Sequence, residues 1–342
     1  MVARRGASWH STSMRLHIQN PPASDLRITP AQWEAAIARH PDMAHLAMTM
    51  AEDPQGLEDG LREAEVLVTW TGLPGDPLRA APLRERAPHL RILSFTSAGV
   101  DRMAPFDWLP DGVAMLNNRG THGDKAGEFA IMALLMLRNH IPFFAECQRE
   151  GRWAPRLAPS LAGATLGVLG LGALGGATAR RARQFGMRVL GIRSGSEPHP
   201  DCDETFPQEA LDSVLPRCDM LVLACPLTPR TRNILSRERL SLLPRGAGVV
   251  NIARGPVWDQ DAVCDLLESG YLSACLTDVA VPEPLPPESR LWRTPGLFVT
   301  PHMSADDPLV YNDRTLDILF ENLRAEREGR PLPNLVDPRR GY

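Results

Sequence analysis

The run Thr165-Leu166-Gly167-Val168-Leu169-Gly170-Leu171-Gly172-Ala173-Leu174-Gly175-Gly176 decides how the chain is read. A short apolar strand leads into G-x-G-x-x-G, and an amphipathic helix follows over Ala173–Phe185. Glycines cluster by chance, but this order of strand, glycine loop and helix is the context in which the pattern holds a dinucleotide. The first glycine permits the tight turn, the second lets backbone approach a pyrophosphate, and the third lets helix and strand pack closely. The helix N-terminus adds free N–H groups and a positive dipole. Gly170, Gly172, Ala173, Leu174 and Gly175 are therefore candidate cofactor contacts. The next strand, Arg188–Ile192, ends in Arg193-Ser194, where NAD-binding chains usually carry the Asp or Glu that holds the ribose hydroxyls. A guanidinium pairs with a 2′-phosphate that a carboxylate would repel. Arg193 and Ser194 thus predict NADP, with NAD possible if Arg193 is an ordinary surface arginine.

Outward from this loop, apolar runs alternate with helical patterns. Strands are expected at Met220–Leu223, Gly248–Ile252, Ser273–Leu276 and Leu297–Thr300, with helices at Gln208–Leu215 and Asp259–Ser269. Together with the two strands above they make a doubly wound sheet of six. An earlier series offers strands at Arg15–Ile18, Glu65–Thr69, Arg91–Phe95 and Val113–Leu116 and a helix at Ala31–His40. Continuous apolar runs rather than alternation favour buried parallel sheets in both. Between the series one long helix runs from Asp124 to Arg149, kinked or split by Pro142. Asp306–Gly329 reads as helix, before an extended Pro-rich tail.

Composition narrows the function classes. With 342 residues, 43% hydrophobic and 23% charged, the chain is ordinary globular protein of about two domains. A net charge of -4 carries no basic excess that would advertise nucleic acid. Six cysteines without CxxC spacing read as reduced thiols of a cytoplasmic protein. Ser160–Ala179 carries no charge, but its glycines break it into strand and turn, so it is not read as a membrane span. Residues 1–13 contain Arg4 and Arg5 without an apolar core behind them, unlike a secretory signal, and read as a disordered extension or an upstream start. Asp201-Cys202-Asp203-Glu204 near His199 reads as a solvated loop, and no metal is expected.

Charged residues gather where strands of the second series end. Asn251-Ile252-Ala253-Arg254-Gly255-Pro256 closes one, Thr277-Asp278-Val279 with Glu283-Pro284-Leu285 follows another, and Thr300-Pro301-His302 a third. Ligands of open α/β sheets bind at these ends. Arginine can hold a carboxylate bidentately. Histidine beside glutamate can be kept cationic and so donate a proton to a carbonyl. Each residue alone has a bland reading as a surface ion-pair partner or loop residue. All of them after one dinucleotide loop do not.

With Cys225-Pro226-Leu227-Thr228-Pro229-Arg230-Thr231 added, these motifs at their mutual spacing resemble the D-isomer-specific 2-hydroxyacid dehydrogenase family over Leu16–Leu332. The resemblance implies that Arg254 binds the substrate carboxylate and polarises its 2-oxo group. It implies that His302 is the general acid in reduction and the base in oxidation, with Glu283 orienting it and favouring its protonated form. Asp278 is expected to meet the nicotinamide end, and Cys225, Pro226, Thr231 and Ile252 to line the cofactor. Ser97-Ala98-Gly99-Val100-Asp101 resembles the family's carboxylate loop, with the amides of Ala98 and Gly99 as contacts. Gly120, His122 and Glu128 match the entry to the interdomain helix, which in the family serves a homodimer; His122 is expected to be structural. Thr277 and Ala280 depart from the usual larger apolar residues, and Arg193 from the usual acid. The residues that mark formate- and phosphite-oxidising relatives are absent at Glu283 and Ala98.

The implied architecture is two Rossmann-like domains. A flavodoxin-like substrate domain is built from 14–117 and 305–342, an NAD(P)-binding domain from 118–304, and the active site lies in a cleft between them. The implied function is a cytoplasmic, homodimeric oxidoreductase interconverting a 2-oxo acid and a D-2-hydroxy acid, NADPH preferred, with glyoxylate or hydroxypyruvate as candidate substrates. No nucleic acid or membrane partner is expected. The alternative is a dinucleotide-sensing corepressor on the same fold.

Overall fold

The computed structural model describes residues 14–22, 24–195 and 197–341, so the reading of residues 1–13 lies outside the described residues. The described residues divide into two compact units, those up to 121 with those from 307 on, and those of 122–306.

The first unit is built on five parallel strands, β1 (Arg15–Gln19), β2 (Ala47–Ala51), β3 (Val66–Thr69), β4 (Ile92–Phe95) and β5 (Ala114–Leu116), in the order β2-β1-β3-β4-β5. Its helices are α1 (Pro30–Arg39), α2 (Pro54–Glu63) and the single turn α3 (Leu83–Arg86). Both faces are covered, as the apolar runs require. Leu16, Ile18, Val66, Val68 and Ile92 meet one core, while Leu67, Leu93, Phe95 and Met115 meet another. Neither β2 nor α2 stands out in the sequence. The edge strand β2 keeps its side chains partly or wholly exposed, and α2 carries Gly56 and Gly60, which weaken helix propensity. The glycines are there for contact: a Cβ on Gly60 would fall 2.3 Å from the His17 ring, and one on Gly56 2.3 Å from the Ala51 Cβ.

The second unit holds α4 (Gly123–Arg138), α5 (Ile141–Arg149), β6 (Thr165–Leu169), α6 (Ala173–Gln184), β7 (Arg188–Arg193), β8 (Glu204–Pro207), the short α7 (Leu211–Val214), β9 (Met220–Leu223), α8 (Arg237–Leu240), β10 (Gly248–Asn251), α9 (Gln260–Glu268), β11 (Ala274–Thr277) and β12 (Leu297–Val299). Its parallel sheet runs β12-β11-β10-β9-β6-β7-β8. It has seven strands rather than six, because β8 adds a half-buried edge whose Glu-Thr-Phe-Pro carries no apolar run. Helix α10 (Tyr311–Arg327) returns to the first unit.

Three helix expectations need correction. The long helix is two, α4 and α5, bent by 64°. The break falls at Asn139 and His140, where His140 takes a left-handed φ of 56°, and Pro142 sits inside the first turn of α5, a position that needs no N–H. Gln208–Leu215 is one α-turn flanked by 3₁₀ turns, with Pro216 unable to extend it. The last helix starts at Tyr311 rather than Asp306, beyond Pro308. Among the described residues no single helix is long and apolar enough to cross a membrane.

Candidate active site

The glycine loop separates its three glycines by cause. Gly170 has φ 97°, and a Cβ there would lie 2.6 Å from the Cys225 backbone; on Gly175 it would lie 1.8 Å from the Gly170 carbonyl oxygen. Those two are required by the protein's own packing. A Cβ on Gly172 meets nothing within 4 Å. The protein leaves that side of the loop open ahead of helix α6, whose first N–H groups have no intrahelical partner, and a dinucleotide pyrophosphate fits there. Arg193 closes β7, half-buried, and Ser194 follows it exposed. Among the described residues Arg193 enters no ion pair.

The other predicted cofactor residues are less open. Cys225 and Ile252 are buried, and Pro226 is exposed. The Thr231 hydroxyl is spent locally, donating to the Pro226 carbonyl at 2.6 Å and accepting from the Thr228 amide at 2.8 Å. Burial pushes the Cys225 thiol up to about 12 and the Cys202 thiol to about 11, far from nucleophilic at neutral pH. All six cysteines are unpaired. Among the described residues no cluster of His, Cys, Asp or Glu is placed to hold a metal ion.

Three neighbouring strands of the seven-stranded sheet carry the charged constellation. Arg254 follows β10, Asp278 and Glu283 follow β11, and His302 follows β12. Backbone bonds lace the strand ends together: the Asp278 amide donates to the Asn251 carbonyl at 2.9 Å, and the His302 amide to the Asp278 carbonyl at 2.8 Å. Gly255 brings the arginine loop against the glutamate loop, since a Cβ there would lie 2.4 Å from the Ala280 carbonyl oxygen. Asn251 braces the arginine turn from below, accepting from the Ala253 amide and donating to the Arg254 carbonyl.

His302 Nδ1 lies 2.9 Å from Glu283 Oε2, and Glu283 Oε1 accepts from the Ala280 amide at 3.0 Å. A carboxylate on Nδ1 selects the Nδ1–H tautomer and leaves Nε2 for proton transfer. His302 itself has φ 53°, a conformation non-glycine residues hold only where surroundings impose it. Asp278 imposes it. Its buried carboxylate accepts from the Thr300 hydroxyl at 2.6 Å and from the Met303 and Ser304 amides at 2.9 Å. The sequence marked Asp278 as a cofactor contact; its bonds inside the protein are to the loop that carries the histidine. His122 caps α4 and is buried, with Nδ1 near the Ala305 carbonyl and the Asp306 carboxylate. Burial pushes its pKa down, against Asp306 and the Ala305 carbonyl, and Arg254 and His302 lie near enough to push the same way.

In the first unit, Ser97, Ala98 and Gly99 follow β4 half-buried. Among the described residues the N–H groups of these three donate to no protein group. Successive free amides make an anion-binding concavity. Sequence reasoning missed what holds this loop: Asn118, Tyr311 and Thr71, none of which carries a motif.

Comparison with known proteins decides the family. Residues 131–304 match the family model described as D-isomer specific 2-hydroxyacid dehydrogenase, NAD binding domain. A glyoxylate reductase of Korarchaeum cryptofilum is 31% identical over 268 residues, 77% of this chain and 80% of the relative. The chain belongs to the D-isomer specific 2-hydroxyacid dehydrogenase family. It is an NAD(P)-dependent enzyme of that family, and the relatives favour this over a corepressor. A glyoxylate reductase/hydroxypyruvate reductase of Mus musculus is 28% identical over 89% of this chain and 94% of its own length. Among solved structures, a family member from Xanthobacter autotrophicus Py2 in complex with NADPH and MES superposes with a TM-score of 0.81 at 32% identity, covering 97% of this chain and all of the other. An NADPH-dependent glyoxylate/hydroxypyruvate reductase from Sinorhizobium meliloti, in complex with NADP and sulfate, gives 0.79 at 28% identity over 96% of this chain and all of the other.

Proposed function

We propose that this dehydrogenase reduces a short 2-oxo acid to its D-2-hydroxy acid with NADPH preferred, glyoxylate and hydroxypyruvate being the first candidates. The His302–Glu283 pair at 2.9 Å carries the reading. The bound nicotinamide cofactor supplies the hydride. The chain's own groups do the rest. Arg254 holds the carboxylate and polarises the 2-oxo group, and the Ala98 and Gly99 amides add donors to the carboxylate. His302, oriented through Nδ1 by Glu283, gives the Nε2 proton to the developing alkoxide and takes it back in oxidation. Gly170, Gly172, Ala173, Leu174 and Gly175 cradle the pyrophosphate, Arg193 and Ser194 meet the 2′-phosphate, and Asp278 serves the nicotinamide end while it holds the His302 loop. In this reading 118–304 is the nucleotide domain, and 14–117 with 305–342 the substrate domain. His302→Ala should lower kcat by about 10²–10⁴-fold with NADPH binding intact; unchanged turnover overturns the assignment.

The same reading includes a cytoplasmic homodimer. Six unpaired thiols support the compartment. An apolar strip along α4, α5 and α6 supports the dimer, with Met132, Ile141 and Phe185 each about 40% exposed. After α5 the chain runs without regular secondary structure over residues 152–160. Arg156 lies over the Phe143 ring at 4.2 Å, while Trp153 and Leu157 are 97% and 96% exposed. A solution mass of one chain, 37.6 kDa, would contradict the dimer.

A further inference from the structure

We propose that Tyr311 is a positioning residue, acting with Asn118 to hold the Ser97–Gly99 loop so that its amides face a substrate carboxylate. The inference rests on the proposed function, which assigns that carboxylate to Ala98 and Gly99.

Strand β4 ends at Phe95, and its ladder to β3 is completed by the Thr96 amide, which donates to the Thr69 carbonyl at 2.8 Å. On the other side of Thr96 the backbone ladder gives way to side chains. The Thr96 carbonyl accepts from the Tyr311 hydroxyl at 2.5 Å and from Asn118 Nδ2 at 2.8 Å. One residue on, the Ser97 carbonyl accepts from the Asn118 amide at 3.1 Å. The Ser97 hydroxyl accepts from Thr71 Oγ1 at 3.2 Å.

Peptide planarity turns these bonds into a direction for the donors. In a trans peptide the C=O and the following N–H point opposite ways. Fixing the Thr96 carbonyl toward Tyr311 and Asn118 aims the Ser97 N–H away from them. Fixing the Ser97 carbonyl on Asn118 does the same for the Ala98 N–H. The Ser97 and Ala98 donors are therefore set by what grips the carbonyls behind them, Gly99 follows them directly in the chain, and a loop of free amides costs least to bind an anion when it is already oriented.

Tyr311 opens α10 and is buried. Its place is fixed from within the same unit. Thr315 Oγ1 donates to the Tyr311 carbonyl at 2.8 Å and accepts from Asn118 Nδ2 at 2.8 Å. Thr96, Asn118, Thr315 and Tyr311 so form a closed circuit in which each member orients the next. A phenylalanine keeps the ring and removes the hydroxyl that donates to Thr96. Tyr271 provides the matched control. Its hydroxyl donates to the Ser241 and Leu243 carbonyls, in the other unit.

The test compares wild type, Tyr311→Phe and Tyr271→Phe by glyoxylate kinetics at saturating NADPH, NADPH affinity, thermal midpoint, and hydrogen exchange over a peptide spanning 95–103. Tyr311→Phe is expected to raise KM for glyoxylate about tenfold, with kcat and NADPH affinity within about twofold. Exchange at Ser97–Gly99 should quicken in that variant alone, and Tyr271→Phe should behave as wild type. Asn118→Asp, which loses the amide donor, should shift KM in the same direction. Unchanged KM and exchange in Tyr311→Phe overturns the proposal. So does a uniform loss of kcat, NADPH affinity and thermal midpoint, which would mark a general structural role. A wild type that turns over no 2-oxo acid sinks the functional reading instead, and the exchange comparison then still decides whether Tyr311 orders the loop.

Discussion

The two parallel sheets present different atoms at their C-terminal ends. The seven-stranded sheet presents ionisable side chains, Arg254, Glu283 and His302, on three adjacent strands. The five-stranded sheet presents main-chain N–H groups after β4, on residues whose side chains are a hydroxyl, a methyl and nothing. Side-chain sites need particular residue types, so they leave motifs. Backbone sites need only a fold that aims peptide planes, so the residues that matter are the ones gripping the loop from elsewhere in the chain.

That contrast can be broken in order of expected effect. Arg254→Ala removes a charged donor from the side-chain site and should lower kcat/KM for glyoxylate by about 10²–10³-fold, read by steady-state kinetics. Arg193→Ala should raise KM for NADPH by about 10–100-fold while leaving NADH little changed, because only the 2′-phosphate loses a charge-assisted partner. Ala98→Pro deletes one uncharged backbone donor and should raise KM for the 2-oxo acid about tenfold with NADPH affinity preserved. If Ala98→Pro costs as much as Arg254→Ala, the two kinds of site are not as different as the contrast holds.

The smallest expected effect lies under α2 in the first unit. His17 is buried in β1 with Nδ1 2.8 Å from Thr49 Oγ1, and burial pushes its pKa down against the Gln19 hydrogen bond. The unfolded imidazole titrates near 6.5. Above about pH 6.5 both states are neutral, and the stability contribution is complete. As pH falls below that, the unfolded chain takes up a proton the folded chain resists, and stability drops. His17→Gln should flatten the pH dependence of the thermal midpoint over about pH 5–6.5; an unchanged slope would contradict the burial argument.

What the sequence made legible follows the same division. Both parallel sheets showed as apolar runs because strands covered on two faces, such as Val66–Thr69 and Met220–Leu223, have no polar face to alternate with. The edges β2 and β8 lacked that signal. The α4–α5 break was misplaced because Pro142 is the visible breaker, whereas His140 takes the left-handed turn with no sequence mark. The placement of Arg254, Glu283 and His302 after three neighbouring strands was readable from residue type and spacing. The buried carboxylate of Asp278 holding the His302 loop, and Gly255 seating against Ala280, depend on which backbones approach one another. Residue identity alone does not encode that.

Hydride transfer from NADPH to a short 2-oxo acid is the proposed reaction of this enzyme. The most direct measurement follows NADPH and NADH oxidation by the wild-type protein with glyoxylate and hydroxypyruvate, as a loss of nicotinamide absorbance. Turnover of at least one of the two acids is expected, with kcat/KM for NADPH about tenfold or more above that for NADH. Tight NADPH binding with no oxidation by either acid would contradict it.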